Sequence, residues 1–407
     1  MKRIKHGGIS RRDFLCCTCA FALTAGAEPL RAFSLPFSKP TTASGVEDIR
    51  GKIFKNDAPE TLWKWHKEGF SYAQLKGDKV MCRICPNYCQ LAPGDRSICR
   101  SKVNIGGILY SLAYGNPCAI NVDPIEKKPL FHFLPQTMAF SIATTGCSFR
   151  CLNCQNWEIS QAKPHEVEHY DLFPESVVTE AKKAGCGSIA YTYSEATTYF
   201  EYMIDTARLG REAGLHNLWI SNGSINRKPL LELCRVLDAA NVNLKSYDDN
   251  IYRKLNGGRL QPVLNTFKTL NEKGIHFEMT NLVVPGYVDD PEMLKKMCGW
   301  ILENLGPDHP LHFLRFFPLY KLKRLSPTPQ STLEQFREIA MAEGIHYAYV
   351  GNIPGHPGAN TYCHECKELL IERLGYAMPT YNLEGSHCRF CHALIPGVWE
   401  ENKEKTI

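Results

Sequence analysis

From about residue 139 the chain alternates between two patterns of apolar positions. Short, β-rich apolar runs recur at Phe140–Thr144, Ser188–Tyr193, Leu218–Ser221, Val242–Lys245, Phe277–Val283, Leu311–Phe317 and Tyr347–Val350. Longer stretches with helical spacing separate them, at Pro174–Ala184 and then 196–213, 228–240, 261–273, 291–305 and 331–343. Pro174 opens the first of these and Gly185 follows its end, the usual helix punctuation. Strands alternating with helices at this spacing predict parallel βαβ units. The pattern predicts an α/β fold, a partial or full (β/α) barrel over residues 136–353. In such folds the loops after the strands' C-terminal ends carry the chemistry.

The flanks read differently. Residues 28–77 are expected to hold a linker, rich in Pro, Ser, Thr and Ala up to about 56, and a short aromatic-rich helix over Thr61–Phe70. A first cysteine module and lead-in occupies 78–135. The βα alternation stops after 353, and a second cysteine module fills 354–400, followed by a charged tail. The first 27 residues have basic charge, then Ser10-Arg11-Arg12-Asp13-Phe14-Leu15, then an apolar run to Ala27. That layout is expected of a signal peptide and resembles a twin-arginine signal, with Ala25-Gly26-Ala27 as the cleavage site. Export to the periplasm follows from it; a basic tail on a cytoplasmic protein is the alternative. Cys16, Cys17 and Cys19 lie inside the signal and are given no role in the mature protein. The apolar run is too short to span a bilayer comfortably, so no stable membrane insertion is expected.

Composition is ordinary for a globular protein, 44% hydrophobic and 22% charged, with a net charge of +5. So small a net charge argues against an extended nucleic-acid surface. Cysteine is the exception: 18 residues, mostly in tight clusters. Disulfide frameworks suit small secreted domains, whereas Cys-x-x-Cys spacing reads as thiolate ligands for metal or clusters. Cys118, Cys186, Cys234 and Cys298 stand alone and are expected to be buried as small apolar side chains.

The first strand leads into Thr144-Thr145-Gly146, then Cys147-Ser-Phe-Arg-Cys151-Leu-Asn-Cys154. Three thiolates in so short a loop can each take a different iron of a four-iron cluster, leaving one iron open to a small molecule. A structural zinc site would need a fourth ligand. Cys-x3-Cys-x2-Cys after a first barrel strand resembles the radical S-adenosylmethionine (SAM) superfamily. The context Gly146–Ser160 is similar to the AmmeMemoRadiSam system radical SAM enzymes, relatives of pyruvate formate-lyase activating enzymes. So are Asn121–Leu134, Tyr191–Tyr202, Val283–Gly286 and Cys388–Trp399. The resemblance covers about residues 78–400. It implies a 4Fe-4S cluster on Cys147, Cys151 and Cys154, and reductive cleavage of SAM to a 5′-deoxyadenosyl radical that abstracts hydrogen from a substrate. One position departs from the family: Asn153 replaces the aromatic that packs on adenine, with Phe149 or Trp157 as substitutes.

The resemblance also implies a SAM shell. Ser194-Glu195-Ala196 matches the family's grip on the methionine amino group only at Glu195. A carboxylate there can accept bonds from an ammonium. Ser221-Asn222-Gly223 ends the third strand, and Asn222 could reach the ribose or carboxylate. Lys245, in Asn243-Leu244-Lys245, resembles the family's Asp-Leu-Lys and is expected to meet an anion at the barrel mouth. Asn281 and Arg315 lie near later strand ends.

Two further sets of four cysteines lie outside the barrel. Cys82, Cys85, Cys89 and Cys99 suit zinc or an auxiliary cluster. Cys363, Cys366, Cys388 and Cys391 form two knuckles, the spacing of a zinc ribbon, expected to cap the barrel. An external electron donor is expected as partner, with a protein, peptide or small-molecule substrate or other AmmeMemoRadiSam proteins. The competing reading is a metal-rich electron-transfer or scaffold protein without turnover.

Overall fold

A computed structural model describes residues 62–400. The signal, its twin arginines and the linker up to Thr61 lie outside the described residues, as does the tail from Glu401. Among those described, no helix is long and apolar enough to cross a membrane.

Two small antiparallel sheets come first. One joins β1 (Lys67–Glu68), β6 (Ile108–Ser111) and β5 (Lys102–Ile105); the other joins β2 (Tyr72–Gln74), β3 (Val80–Cys82) and β4 (Gln90–Leu91). The helix expected over Thr61–Phe70 is absent from the described residues. Trp63 and Trp65 are both buried, against Val103 and Leu112. An i, i+2 burial pattern belongs to extended backbone, not to a helix face.

The central sheet has eight strands: β7 (Ala119–Pro124), β8 (Met138–Ala143), β9 (Ser188–Tyr191), β10 (His216–Ser221), β11 (Ala239–Asn243), β12 (His276–Val283), β13 (Leu311–Arg315) and β14 (Ala348–Gly351). They pair in chain order, with β8 to β14 parallel and β7 antiparallel on β8. No pairing joins β14 back to β7 among the described residues, so the sheet keeps two edges. Between the parallel strands run α1 (Trp157–Ser160), α2 (Pro174–Lys183), α3 (Phe200–Glu212), α4 (Arg227–Leu233), α5 (Leu260–Glu272), α6 (Pro291–Asn304) and α7 (Gln330–Glu343). Their apolar stripes face the sheet, as Leu333, Phe336 and Ala340 do on α7. With both faces covered, strands are buried nearly throughout; all of β9 is.

Two boundaries differ from expectation. The helix predicted over 228–240 stops at Leu233, because Ala239 already pairs with Leu218 and His276. The strand predicted over Val242–Lys245 therefore begins and ends earlier, which puts Lys245 just past it.

The segment between β7 and β8 packs Ile125, Leu130, Phe133 and Leu134 against Ala139, Ala190, Leu218 and Ala239. Beside it, Glu278 is fully buried, accepting from the His132 N–H at 2.7 Å and lying 2.6 Å from His312 Nε2. These contacts fill the side of the sheet near the strands' N-terminal ends. The C-terminal ends remain for the loops that carry the cysteines.

The last module packs on the central sheet through one apolar cluster. It joins Tyr347 and Tyr349 of the β14 region to Leu370, Ile371, Leu383, Ile395 and Trp399.

Candidate cofactor site

The Cys147–Cys154 loop leaves the C-terminal end of β8 and is tied on three sides. The Gly146 N–H donates to Ile159 O at 2.9 Å. The Arg150 and Leu152 N–H groups donate to Asn256 O and Leu255 O, each at 2.8 Å. Asn156 Nδ2 donates to Tyr193 O at 2.7 Å. A loop this bound holds its side chains without a metal to organise it.

All three thiols are partly buried. Burial, then Glu195, then Cys151 push the Cys147 thiol well above its ordinary range. Burial and Cys151 push Cys154 to about 11. Ionising Cys147 and Cys154 therefore calls for a cationic partner, which a cluster's irons would supply. Hydrogen bonds to sulfur are already in place, from Asn256 Nδ2 to Cys151 at 3.4 Å and from Asn222 Nδ2 toward Cys147 at 3.8 Å.

Glu195 follows β9 and is 2% exposed. Oε1 accepts from the Thr197 N–H (3.0 Å), the Thr197 hydroxyl (2.6 Å) and the Ser221 hydroxyl (2.7 Å). Oε2 accepts from the Asn222 N–H at 2.8 Å and keeps a free lone pair. The carboxylate thus clamps the ends of β9 and β10 together. Its donors are all neutral, and no Lys or Arg pairs with it among the described residues.

Lys245 sits half-buried after β11, with its N–H donating to Tyr252 Oη at 3.0 Å and Nζ 3.3 Å from Asn243 Oδ1. Among the described residues no carboxylate pairs with it. A buried carboxylate without a cation after β9 and a lysine without an anion after β11 suit a zwitterion such as an amino-acid headgroup.

Other polar atoms point the same way. Thr145 Oγ1, Asn153 Oδ1, Trp157 Nε1, Ser194 Oγ, Asn256 Oδ1 and Asn281 Oδ1 are buried without a protein partner. Each such group costs about 1–3 kcal/mol unless something satisfies it. Thr145, Asn153 and Trp157 lie on the stretch from β8 through the cysteine loop into α1, Ser194 follows β9, Asn256 lies between β11 and α5, and Asn281 is on β12. The residues present therefore fit a cluster with a polar ligand beside it.

The two aromatic substitutes for position 153 separate here. Phe149 is buried against Tyr252 and against Gly258, where a Cβ would fall 2.3 Å from its ring. Trp157 instead stacks on Tyr320, centroids 5.1 Å apart and planes at 11°. Arg315 turns away to Thr328 O at 2.8 Å. Asn256, Thr197 and Tyr320 were not singled out in the sequence. The Asn256-Gly257-Gly258 run was the available signal, since paired glycines mark a close approach of backbone to a neighbour.

The C-terminal cysteines converge. Cys363 and Cys391 sulfurs lie 3.6 Å apart, Cys366 and Cys388 3.7 Å, and all four within 4.8 Å of one another. Tetrahedral zinc with Zn–S bonds of 2.3 Å sets sulfurs about 3.8 Å apart. His364 is taken by Tyr347 Oη at 2.8 Å. Of the isolated cysteines, Cys186 and Cys298 are buried as expected, but Cys118 and Cys234 are partly exposed. Cys118 precedes the edge strand and Cys234 follows a helix end, where neighbours cover only one side.

The profile of the Radical SAM superfamily matches residues 141–298. A protein of Methanocaldococcus jannaschii described as uncharacterized is 45% identical over 327 residues, 80% of this chain and 97% of its own. The pyruvate formate-lyase 1-activating enzyme of Escherichia coli K12 is 28% identical over 211 residues, 48% of this chain and 85% of its own. Among solved structures, Streptococcus suis SuiB bound to S-adenosylmethionine aligns at 14% identity and a TM-score of 0.43, over 56% of this chain and 53% of that one.

Proposed function

The chain carries a Radical SAM superfamily domain over residues 141–298, and on that premise we propose that it is a SAM-cleaving enzyme of the AmmeMemoRadiSam branch, with a 4Fe-4S cluster on Cys147, Cys151 and Cys154. When bound, cluster and SAM supply a one-electron cleavage that yields methionine and a 5′-deoxyadenosyl radical able to take hydrogen from an unreactive C–H bond. The chain's own residues bind and orient. Glu195 offers its free Oε2 lone pair to the methionine ammonium, and Lys245 meets the methionine carboxylate. Ser194 Oγ, without a protein partner, and Asn222 complete the polar shell, and the Trp157–Tyr320 pair offers an aromatic surface for adenine.

The observation that carries this reading is the pair of charges beside the thiols: Glu195, buried with only neutral donors, near Cys147, and Lys245, without a carboxylate partner among the described residues, near Cys154. The substrate class is a protein, peptide or small molecule, and an external one-electron donor is required. The C-terminal cysteines bind structural zinc, supported by their sulfur spacing. Export through the twin-arginine pathway rests on Ser10–Leu15.

Electron paramagnetic resonance of the dithionite-reduced protein tests the reading. SAM should change the cluster's g-values, because it binds the iron that no cysteine holds. A spectrum indifferent to SAM would contradict it.

A further inference from the structure

The N-terminal cysteines differ from the C-terminal ones in a way their spacing in sequence does not reveal. Cys82 ends β3, Cys89 leads into β4, and the Cys82 N–H donates to Cys89 O at 3.0 Å. Cys85 lies in the turn between them, and Cys99 on the approach to β5. All four line a single small pocket, together with Lys102, Ser148 and Thr197. None is in a disulfide.

Among the described residues, only the C-terminal set gathers three or more ligand atoms closely enough to hold a single metal ion, its four sulfurs lying within 4.8 Å of one another. The N-terminal sulfurs are therefore spread more widely than zinc requires, since its tetrahedral edge is about 3.8 Å. A four-iron cluster instead takes each thiolate at a different iron, so its sulfurs stand apart around a central body. Four thiols that line one pocket without gathering as a single-ion site fit that arrangement. Four thiolates also leave no iron open, which separates this site chemically from the three-thiolate loop.

The same cavity abuts the barrel loop. Ser148, next to Cys147, lines it, and Asn87 Nδ2 donates to Ser148 O at 3.0 Å. Ser101 Oγ donates to Thr145 O at 3.0 Å. Gly146 has φ +100°, and a Cβ there would fall 2.3 Å from Cys99 O and 2.5 Å from Ser101 Oγ. A backbone carbonyl cannot swing aside as a side chain can. Glycine is therefore required at 146, and it lets the backbone of one cysteine set touch the backbone of the other.

We propose that Cys82, Cys85, Cys89 and Cys99 bind a second, fully ligated 4Fe-4S cluster beside the barrel loop, not zinc. The inference goes beyond the proposed SAM chemistry and stands or falls apart from it.

The test is iron, labile sulfide and zinc content of the full chain, purified anaerobically and reconstituted. Wild type should hold about 8 iron and 8 sulfide, four per cluster, with about 1 zinc. The triple variant Cys147→Ala, Cys151→Ala, Cys154→Ala removes only the barrel ligands. It should retain about 4 iron and 4 sulfide, with a reduced-cluster resonance that SAM does not change. A triple variant with no iron, or with two zinc per chain, would overturn the proposal. Should that variant be insoluble, the wild-type ratio decides: about 4 iron with two zinc overturns it, about 8 iron with one zinc supports it. Failure of the SAM reading would appear elsewhere, as a wild-type spectrum indifferent to SAM.

Discussion

Glu195→Gln separates the carboxylate's two roles. The wild-type carboxylate accepts four hydrogen bonds, three at Oε1 and one at Oε2. Glutamine offers one acceptor oxygen. Placed at the Oε1 position it keeps three donors, but its NH2 then faces the Asn222 N–H. One buried donor is left unsatisfied, at about 1–3 kcal/mol. At ~2–4 °C per kcal/mol this lowers the melting temperature by roughly 2–12 °C. The amide also removes the charge proposed to meet the methionine ammonium. A lost charge-assisted bond is worth about 1.5–3 kcal/mol, or roughly 10- to 150-fold in SAM affinity. Ser221→Ala serves as the control. It deletes one donor to the same oxygen and spares the charge, so stability should fall by about 0.5–1.5 kcal/mol with SAM affinity unchanged. The assay is SAM titration of the reduced, cluster-loaded proteins beside their melting curves. Equal dissociation constants for wild type and Glu195→Gln, with intact clusters, would refute the ammonium contact and leave Glu195 a purely structural clamp.

Two further outcomes follow from the chain's periphery. If the C-terminal cysteines hold the proposed zinc, the double variant Cys388→Ser, Cys391→Ser should lose it and melt lower or become less soluble, because the metal would join the segments that pack on Tyr347 and Tyr349; metal analysis should find the iron of the Cys147–Cys154 loop still present in soluble protein. Burial pushes His132 down to about 3, so it stays neutral when folded and becomes protonated on unfolding. The unfolded state then binds more protons between that value and about 6.5, so stability rises with pH across the window and falls by roughly 2 kcal/mol from pH 7 to pH 5. Denaturant titration at both pH values reads this directly, and identical midpoints would contradict it.

Much of this was legible because its signals are local. Six of the predicted helices and all seven predicted strands form, since burial against a covered parallel sheet imposes continuous apolar runs, and helix punctuation sits at Pro174 and Gly185. The cysteine loop was legible from spacing alone. What the sequence concealed depends on contacts between distant segments. Resemblance singled out Glu195, but not that Thr197, Ser221 and Asn222 donate to it and make it a clamp between strand ends. Asn256 reads as part of a turn until its side chain reaches Cys151. The residues 62–70 contain aromatics enough for a helix, yet Trp63 and Trp65 bury in alternation against Val103 and Leu112. The filling of the sheet's N-terminal side by the segment after β7 was likewise invisible. Its apolar residues carry no period of their own and are placed by the strands they meet.

The central claim is that this chain cleaves SAM through the Cys147, Cys151 and Cys154 loop. The direct measurement is chromatography of anaerobic reactions containing reconstituted protein, dithionite and SAM. The account predicts 5′-deoxyadenosine and methionine in equal amounts from the wild type, and neither from Cys151→Ala. Absence of 5′-deoxyadenosine from cluster-loaded wild type, or an equal yield from Cys151→Ala, would contradict it.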